Sequence, residues 1–167
     1  GSPYRGPAMA LMLALALTFA PARARAAGLG GAAPEFALRD SRGAAVALSQ
    51  FRGKVVLLNF WATWCHGCKQ EIPWFVEYEK KYKHKGLVVI GVSLDEDGWT
   101  SVRPYLKEKK LNYPVVAGDQ ALAKRYGGID TMPATFLIDR KGRIAASYSG
   151  MVDRDECEEK IRILLRK

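Results

Sequence analysis

The chain has 167 residues, a formal net charge of +9 and a hydrophobic share of 49%. That length suits one domain with an appended tail, and that share excludes a disordered chain. No basic helix interleaved with aromatic residues accompanies the charge, which excludes a nucleic-acid reader and leaves a solvated, lysine-rich exterior.

Ala8 to Ala20 is almost wholly apolar, with Arg5 ahead of it and the small-residue runs Ala22-Arg23-Ala24 and Ala24-Arg25-Ala26 behind it. A charged start, a short apolar stretch and Ala-x-Ala sites describe a secretory signal. Residues 1–27 are therefore expected to be a signal peptide, 28–33 a small-residue linker, and 34–167 the folded domain. The apolar stretch falls short of the roughly 20 residues a membrane span needs, so an uncleaved N-terminal anchor is the minor alternative. Export predicts an extracytoplasmic, periplasmic location. No cysteine lies near the cleavage region, which excludes a lipid-modified N-terminal cysteine.

Phe36 to Leu38 and Ala45 to Leu48 predict a short strand pair about the turn Asp40-Ser41-Arg42-Gly43. Lys54 to Trp61 and Leu87 to Val92 are continuous apolar runs, the pattern of central strands covered on both faces. Between them Ile72, Phe75, Val76 and Tyr82 recur at helical spacing, and Gly86 supplies a stop. Pro73 within this helix predicts a kink, because it cannot donate to the carbonyl of Lys69. Strand, helix, strand makes a parallel crossover. Asp97 is expected to cap a second helix, Trp99 to Lys110, and Asp95-Glu96-Asp97-Gly98 lacks the spacing of a calcium loop. Tyr113 to Ala117 is expected as a third central strand and Gln120 to Tyr126 as a short helix. Ala134 to Ile138 and Arg143 to Tyr148 flank a hairpin turn. Asp153 and Glu156 predict a capping box for a last helix, whose apolar face carries Cys157, Ile161, Leu164 and Leu165. Cys157 is thereby expected to be a small core hydrophobe.

Three cysteines make an odd number, too few for a stapled scaffold. Two stand as Cys65-His66-Gly67-Cys68 at a strand-to-helix junction. Unpaired N–H groups and the dipole at a helix start favour an anion, so Cys65 should ionise readily and act as the nucleophile of thiol–disulfide exchange. Cys68, one turn on, can attack the resulting mixed disulfide. Lys69 stands where a haem attachment site needs His. A zinc site lacks further ligands near His66. A soft copper site from Cys65, Cys68 and His66 is a minor alternative. A static staple across so short a loop would constrain the unfolded chain little.

The run Asn59-Phe60-Trp61-Ala62-Thr63-Trp64-Cys65 with Cys68 resembles the thioredoxin superfamily, as does Thr131-Met132-Pro133-Ala134-Thr135-Phe136-Leu137-Ile138-Asp139. With Cys68-Lys69-Gln70-Glu71-Ile72-Pro73 the chain is similar to the exported TlpA-like and ResA-like branch. The resemblance covers about Pro34 to Lys167. It implies an α/β thioredoxin fold, a central mixed sheet flanked by helices, with an N-terminal strand extension and an insertion within Val92 to Asp119. It further implies that Cys65 attacks and Cys68 resolves, that Trp64 packs beside the site, and that a cis Pro133 faces the disulfide. Met132 would pair its backbone with an extended substrate. Glu71 would tune the thiols and move the Cys68 proton, since Asn59 stands where ordinary thioredoxins bury an aspartate. Its bland alternative is a solvated acid near a helix start. Gly67 departs from the usual proline before the second cysteine, and His66 can add positive charge, so these two are the expected tuners of the redox poise.

The expected function is that of a thiol–disulfide oxidoreductase reducing protein disulfides outside the cytoplasm, with cytochrome c maturation as a family substrate. An oxidase or isomerase and a copper-handling module are the alternatives. The resemblance implies no cofactor beyond the redox-active Cys65–Cys68 pair. The partners would be protein disulfides or dithiols and an extracytoplasmic electron donor, with the chain a monomer. No peroxidatic Pro-x-x-x-Thr-x-x-Cys pattern precedes Cys65, which disfavours a peroxidase.

Overall fold

The computed structural model describes residues 27–167. In chain order the strands and helices are β1 (Ala37–Arg39), β2 (Ala45–Ala47), β3 (Val55–Trp61), α1 (His66–Tyr82), β4 (Leu87–Ser93), α2 (Trp99–Lys109), β5 (Val115–Ala117), α3 (Gln120–Arg125), β6 (Ala134–Ile138), β7 (Ile144–Ser149) and α4 (Arg154–Leu165). The signal or anchor expected at residues 1–27 lies outside the described residues, Ala27 excepted.

β3 and β4 are the apolar runs of the sequence, paired in parallel with Val55 opposite Leu87 and Trp61 opposite Ser93. They occupy the middle of a five-stranded sheet ordered β5-β4-β3-β6-β7, in which β6 runs antiparallel to β3 and β7 antiparallel to β6. Every residue of β3 is buried, because both sheet faces are covered. Val55, Leu57 and Trp61 pack with Phe75 and Tyr78 of α1 and with Cys157 and Ile161 of α4. Val56, Leu58 and Phe60 pack on the other face with Val46, Leu122 and Tyr126. Cys157 is fully buried, as its helical phase predicts.

Several local expectations change. Tyr113 to Ala117 is not a central strand: β5 pairs with β4 over three residues at the sheet edge, and Val116 makes a bridge to Asp40. Residues 28–33 read as a linker by composition, yet they lie against β7. Gly30 N–H donates to Ile144 O at 2.8 Å, Ile144 N–H to Gly31 O at 2.9 Å, and Ala33 N–H to Gly142 O at 2.9 Å. An edge strand offers unpaired backbone groups, and this segment takes them. Gly98, not Asp97, is the N-cap of α2, while Asp97 accepts from the Ser101 hydroxyl at 2.6 Å. Asp153 caps α4 by accepting from Glu156 N–H at 2.9 Å, one half of the expected box. The helix α1 runs unbroken through Pro73, which stands exposed on its outer face. Glu79 is buried on the inner face and accepts from Val89 N–H at 2.9 Å, serving a strand edge that the short β5 does not reach. Among the described residues no helix is long and apolar enough to cross a membrane.

Candidate active site

The parallel pair β3 and β4 ends on the same side of the sheet, and the chain leaving β3 turns directly into α1. Cys65 is the N-cap of that helix, in extended backbone (φ −84°, ψ 112°), and is joined to Cys68 by a disulfide with Cα atoms 5.3 Å apart. Cys68 N–H donates to Cys65 Sγ at 3.2 Å, so a helix-start N–H already points at the sulfur that must carry negative charge. No acidic residue occupies the first turn to oppose it. Cys65 retains 5% exposure and Cys68 none, so an incoming group meets Cys65 first.

His66 lies exposed on the helix surface with Nε2 3.1 Å from Gln70 Nε2. Among the described residues no three His, Cys, Asp or Glu side chains form a group able to hold a metal. Gly67 is half-buried. A Cβ there would lie 3.2 Å from Met151 Cγ and 3.4 Å from Pro133 Cδ, so both side chains border the redox turn. The Met132–Pro133 bond is cis, and Pro133 O accepts from Gly150 N–H at 2.8 Å, tying the turn before β6 to the end of β7. Met132 is half-buried and reaches both apolar clusters. Trp64, expected beside the site, is 67% exposed. The core under this turn is already filled by Trp61, and the indole of Trp64 is left as an apolar surface next to Cys65.

Glu71 is fully buried, not a solvated helix-start acid. It shares the inner face of α1 with Cys68 and Ile72. Oε1 accepts from Asn59 Nδ2 at 3.0 Å and Oε2 from Val152 N–H at 3.1 Å. Burial pushes its carboxyl pKa up to about 7, against the two hydrogen bonds that favour the charged form. Cys157 lies near enough for the Glu71 charge to act on it, and burial above all pushes that thiol up to about 12.

Sequence reasoning missed three groups. Asp95, taken for part of a helix start, is buried at the end of β4. It accepts from Thr63 N–H at 3.1 Å and from the Ser93 hydroxyl at 2.7 Å, and also from the Thr63 hydroxyl. This pins the turn two residues before Cys65. Met151 carried no signal beyond its apolar character. Thr135 was visible as a residue of the Thr131 to Asp139 motif, but its contact with Asn59, 3.1 Å from Nδ2, was not.

The arrangement holds a reachable sulfur at a helix start, a buried partner sulfur and a buried acid on one helix face. Comparison with known proteins gives the same answer. The AhpC/TSA family matches residues 29–147. The chain belongs to that family. Within it, the chain is 34% identical over 134 residues to the thiol-disulfide oxidoreductase ResA of Bacillus thuringiensis subsp. konkukian, covering 80% of this chain and 77% of the relative. Against ResA of Bacillus subtilis the figures are 35% over 122 residues, 72% and 67%. A thioredoxin-family thiol:disulfide interchange protein from Chlorobium tepidum superposes with a TM-score of 0.74 at 27% identity, covering 84% of this chain and 99% of that one. A second Chlorobium tepidum protein, given as a candidate thiol:disulfide interchange protein DsbE, reaches 0.78 at 34% identity with the same coverage. The fold is thus a thioredoxin fold, and this AhpC/TSA member is a thiol–disulfide oxidoreductase.

Proposed function

We propose that the protein works outside the cytoplasm and reduces protein disulfides, with Cys65 as attacking nucleophile, Cys68 as resolving thiol and Glu71 as proton acceptor and donor. The observation that supports this most is the buried Glu71 carboxyl, one helical turn from a buried Cys68 and pushed up to about 7. In the first step Cys65 thiolate attacks a substrate sulfur, forming a mixed disulfide and releasing one substrate thiolate. Glu71 then takes the proton of Cys68. Cys68 thiolate attacks Cys65 Sγ, the intramolecular disulfide closes, and the second substrate sulfur leaves as thiolate and is protonated. Two electrons pass from the cysteine pair to the substrate, and an extracytoplasmic dithiol donor restores the pair.

Charge supports this direction. A strongly oxidising pair needs a stabilised thiolate in its reduced form. Here a buried carboxylate near Cys68 destabilises a second negative charge, which favours surrender of electrons. Trp64, Met132 and Pro133 supply the surface against which a substrate segment lies, and His66 and Gly67 set the poise. The Cys65–Cys68 disulfide is the redox group and no separate cofactor is required. The leader pattern supports export, and the ResA likeness supports apocytochrome c disulfides as one substrate class. A monomer suffices for the whole cycle.

Equilibration with glutathione tests the reading. The reduction potential should lie nearer the roughly −270 mV of thioredoxin than the roughly −120 mV of DsbA. A value near the latter makes the protein an oxidase and overturns the proposed direction.

A further inference from the structure

Asn59 lies mid-way along β3 on the face that packs against α1, and is 1% exposed. Its Cα partner across the antiparallel ladder is Thr135 of β6, so the two side chains stand together on that face. Its Nδ2 has two hydrogens and spends both: one on Glu71 Oε1 at 3.0 Å, one on Thr135 Oγ1 at 3.1 Å. Its Oδ1 is buried with no hydrogen-bond partner among the described residues. A buried carbonyl oxygen left unpaired is a standing cost, and a well-packed core seldom keeps one.

The vacancy has a chemical meaning beside an acid that gains and loses a proton. A carboxylate offers only acceptors and demands a donor; a carboxylic acid also offers a donor and demands an acceptor. An amide carries one of each on a single planar group. Thr135 does not restrict the choice, since a hydroxyl both donates and accepts.

We propose that Asn59 is the positioning residue for Glu71, presenting Nδ2 to the carboxylate and, after a half-turn about χ2, Oδ1 to the protonated acid. The proposal rests on the reading of Glu71 as the proton carrier. The amide thereby holds the acid in one place through both halves of the cycle. An aspartate at 59 could not do this, because two carboxyl groups about 3 Å apart would share a single proton and titrate as a pair.

The remaining groups facing Glu71 leave the assignment clean. They are Cys68 on α1, Cys157 on α4, Tyr113 ahead of β5 and the Val152 N–H before α4. Burial pushes both the Cys157 thiol and the Tyr113 phenol well above neutral pH, and in the oxidised protein Cys65 and Cys68 do not titrate. Only Glu71 among them changes charge near pH 7.

The test is an NMR titration of the oxidised, full chain between pH 5 and 9, following the Glu71 carboxyl carbon and the Asn59 side-chain amide, beside the pH profile of disulfide reduction. Both wild-type resonances should titrate together, and the amide should stop titrating in Glu71→Gln. In Asn59→Leu the Glu71 inflection should rise by at least one pH unit, and the rate profile with it. An Asn59 amide indifferent to pH while the Glu71 carboxyl titrates overturns the proposal, and needs no variant to fold. Should the resonances behave as stated while Glu71→Gln leaves the rate profile unchanged, Asn59 still positions Glu71, and the proton-carrier role is what fails.

Discussion

At the scale of single residues, three cysteines have three different surroundings. Cys65 caps a helix with 5% exposure, Cys68 is sealed beneath it, and Cys157 is sealed in the core with its thiol pushed up to about 12. Iodoacetamide should therefore label Cys65 of the reduced protein first, and Cys65→Ser should abolish disulfide reduction while the fold persists. Equal labelling of all three, or Cys157 ahead of Cys65, overturns the assignment. Glu71→Gln should slow the reaction and erase the rate inflection near pH 7; a profile that overlays wild type removes Glu71 from the chemistry. The cysteine pair and Pro133 were legible from motif alone. The burial of Glu71 was not, because a helix-start acid is ordinarily well placed in water. It lies on the packed inner face of α1, where its hydrogen bond from Val152 N–H comes from 81 positions away in the chain. The exposure of Trp64 was likewise not readable from its motif neighbours.

At the scale of elements, the strands and helices declared themselves by periodicity, whereas their neighbours did not. The run Tyr113 to Ala117 reads as a central strand, and only the three-residue pairing of β5 with β4 at the end of the sheet order shows it to be an edge. Composition likewise hid that residues 28–33 cover the other edge. The start of α1 and the segments bordering it invite substitution. Gly67 does not adopt the left-handed backbone that demands glycine, so proline can take its place. Gly67→Pro should stiffen the helix start and make the pair more reducing by about 30 mV, roughly 1.4 kcal/mol for two electrons. Met151 Cγ, 3.2 Å from the new Cβ, must give way, so the shift should be larger in combination with Met151→Ala. Glutathione equilibration reads both; an unmoved or more oxidising potential assigns the poise to His66 or Glu71 instead. Asp95→Ala strands the Thr63 N–H and should cost about 1–3 kcal/mol of stability in urea unfolding. A loss of under a few tenths would show that water replaces the carboxylate freely.

At the scale of the whole molecule, buried acids set how stability responds to pH. Glu71 and Glu79 both have pKa values raised by burial. The folded state then keeps protons that the unfolded chain releases, so their contribution is greatest below about pH 4.5 and declines as pH rises. For Glu71 the decline runs to about pH 7, at up to about 1.4 kcal/mol per unit. Urea unfolding of the oxidised protein should show it less stable at pH 7.5 than at pH 5. Glu71→Gln should flatten part of that slope, and an equal slope in the variant contradicts the assignment. The α/β layering itself was readable from the two apolar strands around one crossover helix. The pH response was not, since it depends on which polar groups the assembled sheet encloses.

The sealed Cys157 thiol also makes the folded molecule its own stopwatch. No reagent can reach that sulfur while α4 stays docked, so its modification counts openings of the native state. With a slow reagent the count gives the equilibrium share of open molecules; with a fast one it gives the rate at which they open. A protein whose trade is exchanging sulfur bonds thus keeps one sulfur that reports only on whether the structure is intact.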